Sequence, residues 1–234
     1  MIEIEIHEPA LTEDNLGLKT WASSYVLARK WHALKEGLRA CCLARRESLQ
    51  ILELGAGTGL VGMAAAAVLG ANVLLTDLPD IVPNLERNAR SNAQVVSAGG
   101  GSVDVGILDW SNPADVLLSR QTHQDEVVHA PRNSLSVPLI VAADPIYSSE
   151  HPRLLVQAIA HHLSQRVDAR VVIEMPIREA FAAERADFSR RMLGIGLMLV
   201  AEDTEIGYDD WSEGSCEELS EVECWMTTWA WKDD

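Results

Sequence analysis

Three glycines at alternate positions, Gly55, Gly57 and Gly59, interrupt an apolar run that starts at Gln50 and resumes as Val61-Gly62-Met63-Ala64-Ala65-Ala66-Ala67. Glycine lets the backbone take positive φ and lets a ligand lie against the main chain, while unpaired N–H groups at a following helix terminus face the bound group. The run therefore reads as a buried strand, a tight turn and a helix start that can cradle a nucleotide. The dinucleotide fingerprint is not met, because its third glycine falls three residues after the second, and a P-loop is excluded because no Gly-Lys-Ser/Thr follows. A second chemical element is Asp77, which ends the run Asn72-Val73-Leu74-Leu75-Thr76-Asp77. An acid about 20 residues past the first glycine lies where the neighbouring strand presents a carboxylate to ribose hydroxyls. A third is Ala143-Asp144-Pro145-Ile146-Tyr147, which closes a continuously apolar run from Val137. Such a run is a central parallel strand, and open α/β sheets hold ligands at the carboxyl ends of their strands. Asp-Pro is also a turn signal, so Asp144 has two readings: a ligand-facing carboxylate, or a cap for a helix beginning near His151-Pro152.

Several elements must position these residues. Ile2, Ile4 and Ile6 alternate with Glu3 and Glu5 and predict a half-buried first strand. Leu27, Trp31, Leu34 and Leu38 recur at helical spacing, predicting a helix from Thr20 to Leu38 with Thr20 as cap. A helix through Leu85, Asn88 and Ala89 is expected to end before Gly99-Gly100-Gly101, and Ser102 to Leu108 forms the third strand of the core. The stretch 111–136 is polar and irregular and reads as an insertion loop in which His123 and His129 are solvated. Leu154, Leu155, Ala158, Ile159 and Leu163 mark a helix, Arg170 to Met175 a strand, and Ile177, Phe181, Phe188 and Met192 another helix. On that pattern His151, His161 and His162 are helix-surface residues, and Glu174 and Arg178, at the carboxyl edge of that strand, either touch substrate or, more simply, form an i,i+4 pair at a helix start. Gly196 to Ile206 and Glu218 to Trp231 make a closing antiparallel pair around the acidic loop Asp209 to Gly214. In the last strand Trp225, Trp229 and Trp231 share one face, read as core against a helix, and Val222, Cys224, Met226 and Ala230 the other.

The 234 residues, 47% hydrophobic and 23% charged, can bury a full core and fit a single α/β domain. A formal charge of −16 opposes the phosphate neutralisation on which nucleic-acid affinity rests, so no direct nucleic-acid partner is expected and a basic partner is. Met1 to Ile6 lacks the positive region and apolar core of a signal peptide, and no run reaches the roughly 18 to 20 apolar residues of a membrane span. The expectation is a cytoplasmic, monomeric protein without a membrane partner. Cys41, Cys42, Cys216 and Cys224 form no C-x-x-C pair, which points to reduced structural thiols and no metal site.

With these residues in view, Glu53-x-Gly55-x-Gly57-x-Gly59 resembles motif I of the seven-strand S-adenosylmethionine-dependent methyltransferases. The resemblance implies an α/β fold of the Rossmann-like class I type, a mostly parallel seven-strand sheet with an antiparallel C-terminal hairpin. It sets residues 1–45 as an N-terminal strand and cofactor-covering helix, 46–206 as the cofactor-binding core and 207–234 as the acidic loop and last strand. Leu16 to Ala28, Leu75-Thr76-Asp77-Leu78-Pro79 and Asp144-Pro145-Ile146-Tyr147 are similar to the protein-lysine methyltransferases of methyltransferase family 16, over roughly Leu16 to Phe181. That likeness implies S-adenosyl-L-methionine as cofactor, with Trp21, Glu53, Gly55, Ala56, Gly57, Asp77, Leu78, Asp109, Trp110 and Ala143 in its site. Trp21 otherwise staples its helix to the core; Asp109 either accepts from the adenine amine or caps the next turn, and Trp110 stacks on the base. Asp144 is expected to orient the substrate amine and Tyr147 to wall the lysine channel. A carboxylate holds an ammonium by a charge-assisted hydrogen bond, whereas the Asn-Pro-Pro-Tyr signature of amide and adenine methylation, absent here, supplies a donor and an acceptor. The helix Thr20 to Tyr25 is most similar to the fungal enzymes that modify a translation elongation factor, so the expected partner is a lysine-bearing protein, elongation factor 2 in particular.

Overall fold

A computed structural model describes residues 2–9, 16–42, 49–121, 127–132, 135–209 and 220–232. Strand β1 (Gln50–Leu54) and helix α2 (Leu60–Leu69) flank the glycine turn, and helix α1 (Ala22–Cys42) precedes them. Strand β2 (Asn72–Asp77) leads through helices α3 (Val82–Ser91) and α4 (Ala93–Ala98) to β3 (Ser102–Leu108). Next come β4 (Val116–Gln121), β5 (Val127–Arg132), β6 (Leu139–Ala143), α5 (His151–His162), β7 (Arg170–Pro176), α6 (Ala182–Gly194), β8 (Leu197–Asp209) and β9 (Ser220–Trp231). They build one sheet in the order β5-β4-β3-β2-β1-β6-β7-β9-β8, in which β3, β2, β1, β6 and β7 run parallel. The strand order reverses between β1 and β6, the place where open α/β sheets open a crevice.

Alternation along each strand divides the core into two layers. Ile51, Val73, Leu75, Leu139 and Val141 face α1, α2 and α3, whereas Leu52, Leu54, Leu74, Ile140 and Ile173 face α5 and α6. Helix α2 is buried nearly all round because β2, α1 and α4 pack about it, and its Leu-Val-Gly-Met-Ala-Ala-Ala-Ala-Val-Leu sequence carries no polar side chain to solvate. Trp31 on α1 is fully buried and donates Nε1–H to the Val61 carbonyl at 3.0 Å, tying α1 to the first turn of α2.

Several expectations are corrected. Residues 2–9 form no strand. The segment lies beside α3, where Asn88 and Asn92 take the place of a partner strand: Asn92 Oδ1 accepts from Glu5 N–H and Asn88 Oδ1 from His7 N–H, both at 2.9 Å, and their amides donate to the Glu5 and His7 carbonyls. The 111–136 stretch is largely a β-hairpin, β4 and β5, which pairs antiparallel with β3 and brings the strand count to nine. The run Val116-Leu117-Leu118 fixes that pairing, and its short apolar length was hidden among polar neighbours. Without the hairpin, seven strands remain in the expected mostly parallel arrangement with an antiparallel end. His129 lies in β5, and His123 falls outside the described residues, as does most of the acidic loop after Asp209. Thr20 is not the cap of α1. Its hydroxyl pairs with that of Thr58 at 2.8 Å, and the first helical N–H, of Ala22, is taken instead by Asp209 Oδ1 at 2.8 Å. Among the closing-strand tryptophans, Trp229 is buried and Trp225 and Trp231 pack on the same α6-side layer, as core.

Candidate active site

A cavity of about 520 Å³ opens at the carboxyl ends of β1, β2 and β6, against the N-terminal side of α1. Its floor is the glycine turn. Gly55 and Gly57 have φ of 69° and 57°, and a side chain at Gly57 would come within 3.0 Å of the Gly17 carbonyl oxygen. At Gly55 a Cβ would lie 3.1 Å from the Trp110 ring. The main chain thus forms the wall, in a conformation that L residues with side chains rarely take.

Asp77 ends β2 with both carboxylate oxygens engaged: Oδ2 accepts from Gly57 N–H at 2.8 Å and Oδ1 from Leu78 N–H at 2.7 Å. The turn of one strand is therefore locked to the tip of the next. Burial pushes the Asp77 carboxyl up to about 6, against the lowering effect of those two N–H groups. Each oxygen keeps a further lone pair for a ligand hydroxyl. Asp109 is exposed at the rim, and its Oδ1 accepts from Ser111 N–H at 2.8 Å, so it caps the turn after β3 as well as lining the cavity. Trp110 offers a flat apolar wall beside it.

Asp144 is held differently. It sits just past β6 with φ 50°, the one non-glycine residue at positive φ among the described residues, and its N–H donates to the Glu174 carbonyl at 2.8 Å. That strained backbone turns its side chain into the cavity. The helix-cap reading does not hold, since α5 starts seven residues later and its N-cap position is Glu150. No side-chain hydrogen bond to the Asp144 carboxylate forms among the described residues; the nearest cation is Arg178 Nη2 at 3.9 Å from Oδ2. Burial pushes this carboxyl up to about 6, with the Arg178 guanidinium pulling it down and Asp209 pushing it further up. Tyr147 stands half-exposed at the mouth, its phenol pushed up by burial and by the charges of Asp77 and Asp144.

The cavity gathers Trp21, Gly55, Ala56, Gly57, Asp77, Leu78, Asp109, Trp110, Ala143, Asp144 and Tyr147. Glu53 is not among its lining residues. Alternation along β1 turns it under α2, where it is fully buried, and burial pushes it up to about 8, offset by the Gly62 N–H and reinforced by Asp77. Three residues read as ordinary surface or helix residues also reach the site. His151 lines the cavity with its ring edge-on to Tyr147 at 4.2 Å and to Trp110 at 5.9 Å, and burial lowers its pKa, offset by the Pro145 carbonyl. Phe181 ends a short 3-10 turn at the cavity wall instead of sitting within a helix. Arg178 is not paired with Glu174: its Nη2 lies 3.0 Å from Asp209 Oδ2, and its guanidinium carbon lies 5.5 Å from the Trp21 ring centroid. Glu174 points away from the cavity and meets Lys30 of α1 at 3.4 Å, both buried. The one signal that marked Arg178 was its place just past the end of a core strand. His162 is likewise no surface residue, whereas His161 is exposed; the inner face of the last turn of α5 is buried, and the His162 imidazole is pushed down to about 4 by burial and by His161, offset by the Leu135 and Pro113 carbonyls.

Among the described residues, no group of three or more His, Cys, Asp or Glu side chains is placed to hold a metal, and no helix is long and apolar enough to cross a membrane. The donor set suits a nucleoside carrying an amino-acid group: main chain at Gly55 to Gly57 for the polar tail, the Asp77 lone pairs for hydroxyls, and Trp110 for a flat base.

Solved structures share this architecture. A Pyrococcus horikoshii protein provisionally described as an RNA methyltransferase superposes with a TM-score of 0.60 at 13% identity, over 98% of this chain and 93% of its own. At that identity the likeness concerns the fold. Sequence relatives are nearer. The chain is 34% identical to protein-lysine N-methyltransferase EFM2 of Saccharomyces cerevisiae, over 89% of this chain and 48% of the relative. It is 32% identical to protein-lysine N-methyltransferase rrg1 of Schizosaccharomyces pombe, over 97% of this chain and 67% of the relative. The chain therefore spans about half the length of the first and two thirds of the second. The family model for lysine methyltransferases matches residues 2–190, from the segment pinned by Asn88 and Asn92 through the glycine turn and the Asp144 edge into α6. On that match, which covers every residue of the cavity, the chain belongs to the lysine methyltransferase family, methyltransferase family 16.

Proposed function

We propose that this protein is an S-adenosylmethionine-dependent protein-lysine N-methyltransferase, that residues 1–234 act as one methyltransferase domain, and that its substrate is a translation elongation factor, elongation factor 2 in particular. The observation that carries this reading is the shared cavity: Asp144, a carboxylate with no side-chain hydrogen bond among the described residues, opens into the space that the glycine turn and Asp77 line. S-adenosylmethionine supplies the methyl group when bound. Asp77, Trp110 and the main chain of Gly55 to Gly57 are the residues that would hold it, with Ala143 and Leu78 beside it.

The chain's own contribution is alignment, since bringing an amine lone pair onto a methyl carbon opposite its leaving group asks chiefly for orientation. Asp144 accepts a hydrogen bond from the lysine amine and fixes its direction. Tyr147 and Phe181 wall the apolar stem of the side chain. Loss of the ammonium proton comes first, to water, because a neighbouring cationic cofactor disfavours the protonated amine. The acidic surface steers a basic, lysine-bearing segment toward the mouth. The substrate preference is supported by the resemblance of the Thr20 to Tyr25 helix to fungal enzymes of that specificity, and the cytoplasm and a monomeric state are the setting that goes with it.

Mass spectrometry of intact elongation factors incubated with the protein and S-adenosylmethionine is the test. A mass increase in methyl multiples on elongation factor 2, abolished by Asp144→Ala and reduced by Tyr147→Phe with cofactor binding retained, is the expected result. Methyl label entering RNA or small molecules instead, or entering no fraction of a lysate, overturns the lysine reading in favour of another acceptor or a non-catalytic binding role.

A further inference from the structure

We infer that Arg178 is a positioning residue for the amine: its guanidinium, anchored on Asp209, sets the charge around Asp144 so that a lysine is captured without being locked in its protonated form. This rests on the lysine reading of the site and adds to it a residue that acts through Asp144.

The arrangement is a fork of two carboxylates on one cation. Arg178 Nη2 is within hydrogen-bonding distance of Asp209 Oδ2, 3.0 Å, and stands 3.9 Å from Asp144 Oδ2, too far for a hydrogen bond but close in electrostatic terms. The other Asp209 oxygen is taken by the Ala22 N–H at the start of α1, so Asp209 is committed and does not turn to the substrate. The Arg178 main chain is held too, since its carbonyl accepts from the Arg185 guanidinium and its N–H donates to the Pro176 carbonyl. The cation is bonded to Asp209 and stands short of a hydrogen bond to Asp144. That leaves Asp144 the one carboxylate of the fork whose acceptor capacity is unmet among the described residues, and it faces the cavity.

Charge then decides the chemistry. Two carboxylates and one guanidinium carry a net charge of about −1, which one ammonium neutralises. Were Arg178 uncharged, the pair would carry about −2, and an amine bound there would keep its proton and hide its lone pair. An opposite charge within about 4 to 6 Å moves a titrating group by about 1 to 3 pH units. Arg178 is one-third exposed, which places its effect at the low end of that range. Further charged or titratable groups near the fork are Asp77 and Tyr147 toward the cofactor side, Lys19 over the Trp21 ring, His151 on α5 and Cys224 on β9 beneath, with the Lys30–Glu174 pair behind β7.

The experiment compares the full chain with Arg178→Met, Arg178→Gln as a second neutral variant, and Arg178→Lys. In cofactor-free protein the Asp144 carboxyl is titrated by carbon-13 NMR; the midpoint, about 6 with Arg178 present, rises by about one unit in the neutral variants and returns in Arg178→Lys. In methyl transfer to elongation factor 2, the acid limb of the kcat profile moves up by about one unit in the neutral variants. At pH 7 kcat falls about tenfold while KM does not rise, and activity recovers at alkaline pH. A loss of kcat equal at every pH, with the Asp144 midpoint unmoved, overturns the inference and leaves Arg178 a prop for Trp21 and α1. Should the unsubstituted protein methylate no lysine, the functional reading fails on its own, and the NMR midpoint alone decides whether Arg178 governs Asp144.

Discussion

Asp77 and Asp144 reach one cavity from strands on either side of β1, yet they are held in opposite ways. Asp77 has both oxygens tied to main-chain N–H groups of adjacent turns, while Asp144 has neither tied among the described residues and sits on strained backbone beside a cation bonded to Asp209. The polar part of the proposed cofactor side is thus built within a short stretch of chain, β1 to β2, with Trp110 after β3 and Ala143 at the end of β6 added as apolar walls. The acceptor side is assembled from α1, the end of β6, the segment after β7 and the last residue of β8. A fixed carboxylate suits a ligand that is the same in every turnover. An open one suits a group that must arrive, lose a proton and leave.

The largest expected effect strikes the cofactor side at its base. A Cβ at Gly62 would lie 2.2 Å from Leu75 Cδ2 and 2.3 Å from Glu53 Oε2, both buried, so Gly62→Val overpacks the contact between α2 and the sheet. A loss of about 3 kcal/mol in chemical denaturation is expected; a variant as stable as the original breaks the view that the cradle is rigid to its foundations. Next comes the acceptor side. Lys30→Met leaves Glu174 buried without its cation and frees α1 from β7, lowering stability by about 2 to 3 kcal/mol, with Lys30→Arg retaining most of it. Glu174 is pushed up to about 7 by burial, against the pull of Lys30. Without Lys30 its folded value rises further, so the deficit against the original protein is constant from about 4.5 to about 7 and deepens as pH climbs above about 7, where Glu174 ionises in the original but stays protonated in the variant.

Asp77→Asn comes third: it keeps the size but removes the charge and, since an amide nitrogen cannot accept, one of the two main-chain bonds. Calorimetry with S-adenosylmethionine is expected to show affinity weaker by about 10- to 100-fold, the worth of one charge-assisted hydrogen bond, with the fold intact. Unchanged affinity would detach Asp77 from the cofactor and blur the contrast with Asp144. The last effect is a slope and shows only across a wide pH range. Glu53 has its folded value raised from 4.5 to about 8, so its contribution to stability is fully present below about 4.5 and is lost as pH rises through about 8. Glu53→Gln removes that dependence: thermal midpoints of the two proteins converge at pH 4.5, and by pH 9 the original is the less stable. Parallel curves across that window would show that Glu53 is not the buried acid the geometry describes.

The two sides also differ in how far they could be read from residues alone. Gly55, Gly57 and Asp77 announce themselves because backbone freedom and strand length are local properties, and a carboxylate at the tip of a second parallel strand has few places to go. Asp144 and Tyr147 were legible from the apolar run that delivers them. Arg178 was legible only as a residue at the carboxyl edge of a strand, and its partners were not, because Asp209 and Asp144 lie 31 and 34 positions away along the chain. His151 was taken for surface because helical spacing does not tell which end of a helix abuts a cavity. The N-terminal alternation of Ile2 to Ile6 suggested a strand, yet the hydrogen-bond partners of that segment are asparagine side chains, which no periodicity reveals.

Local sequence by itself determined the glycine turn, the parallel run of β1, β2 and β3, and the position of two acids at strand ends, because φ preference, strand alternation and apolar length act over a few residues. Tertiary structure alone decided that Glu53 turns away from the cavity, that Asp209 begins helix α1 from the far end of the chain, and that Arg178 stands between two carboxylates. Those outcomes depend on which elements meet, and charge interactions act through space without regard to order along the chain.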